Sequence, residues 1–176
     1  MSDLRVHKTK YINETKRVSF KYDGKNYFGY EGDTLASALL ANGVHLIGRS
    51  FKYHRPRGIM SCGSEEPNAI CQISDKNDLT EPNVRATELE IYDGLEAFSQ
   101  NCWPNVKFDI GGINNLISPL IPAGFYYKTF MWPKSFWKKV YEPLIRMSAG
   151  LGKSPTEPDP DIYLSLIHIS EPTRRT

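Results

Sequence analysis

An α+β fold is what the sequence predicts, and three kinds of stretch predict it. Alternating apolar and polar residues around a two-residue turn mark a hairpin, a capped amphipathic segment marks one helix, and two later extended runs supply further strands. Strands that outnumber helices in this order fold a sheet over the helix.

Each element follows from its residues. The first ten residues are polar, with no apolar run behind their charges, so residues 1–16 read as a loose N-terminus. From Val18 the pattern sharpens: Val18, Phe20 and Tyr22 alternate with Ser19 and Lys21, which places three large groups on one side of a strand. Asp23-Gly24 suits a tight turn, and Tyr27 lies on the returning strand. In "EGDTLASALLANG", Asp33 stands where an N-cap is needed, Leu35, Ala38 and Leu39 share one helical face, and Gly43 can end the helix in the left-handed conformation. "NAICQIS" reads as a short buried strand. "NVRATELEIYDG" reads as another, with Thr87, Leu89 and Ile91 on one face and Glu88, Glu90 and Tyr92 on the other. Four strands wrapped around one helix describe a β-grasp, the ferredoxin-like roll, over residues 17–100.

From Cys102 the composition changes. Trp, Phe and Tyr crowd the chain, and prolines at 104, 119, 122, 133 and 143 exclude long regular elements. Residues 101–151 therefore read as an irregular aromatic- and proline-rich arm with short helices. Its rings either pack on a neighbouring domain or subunit or complete this domain's own core, and both remain open. Residues 152–163, "GKSPTEPDPDIY", are polar and proline-rich, as a linker is. The stretch from Leu164 to Arg174 matches, residue for residue, the in-frame translation of a transposase sequencing adapter. Residues 164–176 are accordingly read as non-native and left out of fold reasoning, with a native continuation expected after Tyr163.

Composition limits the function. With 176 residues, 40% of them hydrophobic, the chain can bury one core and a small appendage. The net charge of +2 is too small for a protein coated in nucleic acid, and no run is long enough to cross a bilayer. A cytoplasmic protein that binds neither nucleic acid nor membrane is expected. The odd set Cys62, Cys71 and Cys102 reads as free thiols. A plant-type iron-sulfur cluster needs C-x4-C-x2-C and a fourth thiolate. Here eight residues separate Cys62 from Cys71, and Cys102 lies beyond the strands, so neither a cluster nor a zinc site is expected.

One loop is unusual. "GRSFKYHRPRG" sets Arg49, Lys52, His54, Arg55 and Arg57 around Phe51 and Tyr53. Cations beside rings suit single-stranded nucleic acid, a phosphate-bearing cofactor, or carboxylates of this chain or a partner. "SEEP", at 64–67, puts acids nearby. Without a glycine-rich phosphate cradle, contacts to protein rank first, an anionic cofactor second and nucleic acid last. His54, a lone histidine among arginines, reads as a structural donor. No nucleophile, base and orienting acid fall at a recognisable spacing, so no catalytic residue is assigned. The interface candidates are Arg49, Lys52, Tyr53, His54, Arg55 and Arg57 in the loop, with Tyr126, Trp132 and Trp137 in the arm.

"GDTLASALLANGVHLIGRSFKYHRPRGI", "PNVRATELEIYDGLEAFSQNCWP", "SPLIPAGFYYKTFMWP" and "PTEPDPDIY" together resemble the amino-terminal part of the alpha subunits of heterotetrameric sarcosine oxidases. The resemblance covers about residues 18–163. It implies a parent complex that demethylates sarcosine oxidatively to glycine, passing the one-carbon unit to tetrahydrofolate and electrons through flavin to oxygen. It also implies FAD, FMN and NAD in that complex, with none of these cofactors held by this stretch. The partners it implies are beta, gamma and delta subunits and the remainder of the alpha chain. The linker would then lead to a dinucleotide-binding domain. In this branch the β-grasp persists without ligand cysteines, and the stretch is expected to be a non-catalytic structural domain. The alternative is an iron-sulfur electron-transfer domain of a related amine or amino-acid dehydrogenase.

Overall fold

The alternation at Val18, Phe20 and Tyr22 produces an inner strand of the sheet. In the computed structural model, which describes residues 4–5, 10–74, 80–120, 132–148 and 150–153, β1 (Asn13–Tyr22) buries all three side chains. β2 (Lys25–Glu31) returns antiparallel, pairing Phe20 with Tyr27 and Val18 with Gly29. The two rings of the first pair stack with centroids 5.9 Å apart. Asp23 and Gly24 form the connecting turn with φ of 47° and 73°. Two positive φ values in a two-residue loop match the right-handed twist of the strands, and Asp and Gly tolerate them best. β1 opens at Asn13, inside the stretch read as a loose N-terminus.

Helix α1 (Leu35–Ala41) lies against this sheet and buries Leu35, Ala36, Ala38, Leu39 and Ala41. Asn42 and Gly43 end it, the latter at φ 74°. Two short strands, β3 (Gly48–Arg49) and β4 (Pro56–Arg57), then form a separate ribbon. The main sheet is completed by β5 (Ile70–Ser74), β6 (Thr80–Arg85) and β7 (Leu95–Ser99), in the order β2-β1-β7-β5-β6. Only β1 and β7 run parallel, with Phe20 opposite Leu95. The result is an α+β fold: a mixed five-stranded sheet with a helix across it.

Three sequence expectations need correction. The N-cap is Thr34 and not Asp33: the Thr34 hydroxyl accepts from the Ser37 N–H at 3.2 Å. The strand expected over 83–94 stops at Arg85, where residues 86–88 turn. Ala86 is diverted because its N–H donates to the Ala69 carbonyl and its own carbonyl accepts from Ala36 N–H, both at 2.8 Å. The inward set survives the turn, since Thr87 and Ile91 are buried and Leu89 packs on the core. Finally, β7 is a strand that the sequence pattern does not announce. It offers only Leu95 and Ala97 to the core, too short an apolar signal to stand out.

Residues 101–120 and 132–148 contain only short pieces. These are α2 (Ile113–Leu116), α3 (Glu142–Ser148), single turns of 3-10 helix, and a π-helical turn at Trp137–Tyr141 that runs into α3. No described helix is long and apolar enough to cross a membrane.

Asp33 carries out a different task from capping. Its buried carboxylate accepts from Arg5 Nη1 at 2.9 Å, from the Tyr30 N–H at 2.9 Å and from the Ser37 hydroxyl at 2.8 Å, and it is paired to Arg5 through Nη2. Burial pushes this carboxyl up, but the bonds from Arg5, Tyr30 and Ser37 and the Arg5 charge outweigh burial and hold it below the usual aspartate range. A carboxyl lowered on folding stabilises the folded state above its unfolded pKa, about 3.9, and loses that contribution as pH falls through the folded value. Asp33→Asn is expected to lower stability by about 2–3 kcal/mol at pH 7. In urea titrations the gap to the parent should close below about pH 4. A gap independent of pH would contradict this account.

Candidate functional site

The basic loop between β3 and β4 folds back on the start of the arm. His54 sits at φ 51°, a left-handed conformation that a histidine rarely adopts. The Ser50 carbonyl accepts its N–H at 2.9 Å, and its ring packs so closely on Gly111 that a Cβ there would lie 2.3 Å from Nδ1. His54 Nδ1 meets the Asp109 carboxylate at 2.6 Å, with both side chains nearly buried. Asp109 also accepts from the Trp103 and Gly111 N–H groups.

Arg49 completes the clasp. Its Nε donates to the Val106 carbonyl at 2.8 Å, Nη2 to the Lys107 carbonyl at 2.9 Å and Nη1 to the His54 carbonyl at 3.2 Å, while its own carbonyl accepts from Asn101 Nδ2. Arg55 bonds Asn115 through Nε at 2.9 Å, and its guanidinium lies 4.9 Å from the Tyr53 ring centre. The Lys52 ammonium lies 4.8 Å from the same ring. Arg49, His54 and Arg55 thus hold residues 101–115 of this chain. Arg57 is exposed and has no side-chain partner among the described residues. It lines a cleft of about 240 Å³ with Arg49, Asn68, Asn83, Gln100 and Asn101.

The arm candidates are less gathered. Tyr126 lies outside the described residues. Trp132 is exposed and its carbonyl accepts from the Tyr141 hydroxyl, while Trp137 is about half exposed. They do not meet the loop candidates in any described contact.

Glu66 is the residue that sequence reasoning passed over, having counted it only among nearby acids. It is 1% exposed, and its Oε2 accepts from the Met60 N–H at 2.7 Å, the Ser61 N–H at 2.6 Å and the Ser61 hydroxyl at 3.3 Å. Its Oε1 accepts from the Asn68 N–H at 2.8 Å. Burial raises this carboxyl, but the backbone donors outweigh it and leave the pKa below the usual glutamate value. A "SEEP" stretch gives no clue that one of its acids turns inward.

The profile described as a 2Fe-2S iron-sulfur cluster binding domain matches residues 15–102, half of the chain. The chain belongs to that family. It is also 57% identical over 163 residues to the sarcosine oxidase subunit alpha of Rhizobium meliloti, a match covering 93% of this chain and 16% of the relative. A sarcosine oxidase subunit alpha of Corynebacterium sp. is 41% identical over 88 residues, 49% of this chain and 9% of the relative. The chain therefore spans a small part of the length of these relatives. Among solved structures, L-proline dehydrogenase from P. horikoshii aligns with a TM-score of 0.41 at 23% identity, over 61% of this chain and 19% of that one.

Family membership raises the question of a cluster, and the residues do not fit one. A 2Fe-2S centre takes four ligands, usually thiolates, and the whole chain has three cysteines. Counted from Cys62, the C-x4-C-x2-C spacing falls on Pro67 and Ile70. Cys71 is fully buried in β5, where burial pushes its thiol up to about 12, and burial also raises Cys102, whose Sγ lies 3.2 Å from the Ser99 hydroxyl. Both shifts disfavour the thiolate that binds metal. Among the described residues no three His, Cys, Asp or Glu side chains gather as metal ligands.

Two outcomes follow from this geometry. Arg49→Ala removes three charge-assisted bonds and should cost about 2 kcal/mol or more. Hydrogen exchange should speed up across 101–115 and leave the β1 amides protected; equal exchange in parent and variant would count against the clasp. Under maleimide labelling at pH 8, exposed Cys62 should react first, Cys102 more slowly, and Cys71 only on unfolding. Early modification of Cys71 would show that β5 is not closed as described.

Proposed function

We propose that the chain is a non-catalytic structural and assembly domain of a sarcosine-oxidase-type alpha subunit. Its aromatic arm docks on the remainder of that subunit and on beta, gamma or delta partners. The parent complex, on this reading, demethylates sarcosine to glycine with flavin and NAD cofactors and passes the one-carbon unit to tetrahydrofolate. The observation that carries it is the set of uncovered apolar side chains in the arm of a chain this similar to those alpha subunits. Trp103, Phe108, Leu116 and Trp132 are between 68% and 82% exposed, large apolar surfaces that a covering partner would bury. Arg57, which has no side-chain partner among the described residues, and its cleft add a cation suited to an acidic partner group.

The family description favours one other reading, an iron-sulfur electron-transfer domain of a related amine or amino-acid dehydrogenase. The ligand count speaks against it. A chimera separates the two: residues 1–163 of this chain replace the matched segment of the Rhizobium meliloti subunit alpha. The assembled chimera is expected to oxidise sarcosine with no added iron. Trp132→Ser with Leu116→Ser should reduce assembly at least threefold on size-exclusion chromatography. A chimera that fails to assemble, or one whose assembly ignores both substitutions, would defeat the proposal.

A further inference from the structure

The Glu66 carboxylate sits where the loop needs an anion. Residues 60–68 join the ribbon of β3 and β4 to β5, and this is the stretch across which the cysteine spacing of a cluster, begun at Cys62, would run. In such a loop donors turned inward hydrogen-bond the sulfurs and tune the cluster's potential. Here the N–H groups of Met60, Ser61 and Asn68 converge on one carboxylate at 2.6–2.8 Å. Three inward N–H groups around one buried charge make an anion nest with its own occupant.

The surrounding bonds close the loop over that charge. The Glu66 N–H reaches the Gly63 carbonyl at 3.2 Å, and the same carbonyl accepts from the Thr87 hydroxyl at 2.9 Å, which ties the loop to the turn after β6. Pro67 has no N–H to offer a sulfur, and Ile70 already stands in β5 opposite Arg85. Charge-assisted bonds from backbone amides to a carboxylate are among the stronger neutral-to-ion contacts, so they compensate the desolvation that burying Glu66 demands.

We propose that Glu66 is the fixed internal anion of loop 60–68, holding by one side chain the backbone that a bound 2Fe-2S cluster would otherwise organise, so that this family member keeps the fold without the redox centre. The inference concerns the β domain alone and stands whichever body covers the arm.

The test uses the full chain. Glu66→Gln keeps the shape and removes the charge, and Glu66→Ala removes the acceptors; both should lower the thermal midpoint by about 4 °C or more. In the parent at pH 7, the Met60, Ser61 and Asn68 amides should exchange slowly by NMR although they lie in a loop. This second measurement decides the matter if the variants do not fold. Anaerobic incubation of the parent with ferrous iron and sulfide, followed by desalting, should leave no bound iron and no signal in electron paramagnetic resonance after reduction. Bound iron and sulfide near two per chain, variants that melt with the parent, or fast exchange at those three amides would each overturn the proposal. Cluster uptake would favour the iron-sulfur alternative but leave the docking of the arm untouched, because assembly is read in a separate experiment.

Discussion

The inward row of Val18, Phe20 and Tyr22 is the constraint on which the fold depends. Lying inside the sheet, β1 must satisfy two neighbours at once: β2 antiparallel through a two-residue turn, and β7 parallel from much later in the sequence. A one-residue slip would send all three side chains to solvent, so the register of both neighbours is fixed by one face. Tyr22 shows how tightly that face is closed. The residue is 2% exposed, and its hydroxyl donates to the Ile47 carbonyl at 3.1 Å, tying the strand to the segment that leads into the basic loop.

Buried and half-buried carboxylates fasten the connections around that core. Asp33 binds the start of α1 to Tyr30 of β2 and to Arg5. Asp23 binds the hairpin turn to β7 through the Ser99 N–H at 2.8 Å, and Glu66 binds loop 60–68 to itself. Each acid sits where the chain changes direction and where backbone N–H groups lack a ladder partner. The pattern is economical in sequence terms. One short acidic side chain satisfies several donors that would otherwise be orphaned, at the cost of desolvating one charge.

These acids also mark the limit of what was legible in the sequence. The hairpin, α1 and its buried face, and the free thiols could be read because period, turn chemistry and count are local properties. The Asp23-Gly24 turn was legible for the same reason. Asp33 was visible as a special residue but was given the wrong task, since its partner Arg5 lies 28 positions away. Glu66 was invisible, because nothing in Ser64-Glu65-Glu66-Pro67 tells which side chain turns inward. β7 escaped because a parallel strand is defined by its distant neighbour, and Leu95 and Ala97 alone do not announce one. The cations of the basic loop were legible as a cluster, while their partners Val106, Lys107 and Asp109 were fixed only by the fold.

The clasp and the end of the described chain bear on how the arm is presented. Arg49, His54 and Arg55 secure residues 101–115. At the other end, the Gly150 carbonyl accepts from Gln100 Nε2, the Gly152 N–H donates to Asn83 Oδ1, and Lys153 exchanges bonds with Gln72 through its N–H and carbonyl. Both ends of the arm are thus pinned to the β domain, one at the basic loop and one beside β5, β6 and β7. A segment with fixed ends loses far less freedom on docking than a free tail does, so its exposed rings can bind a covering surface at a lower entropic cost. The basic loop thereby has a role that does not require it to touch a partner: its charges set the point from which the apolar surface departs.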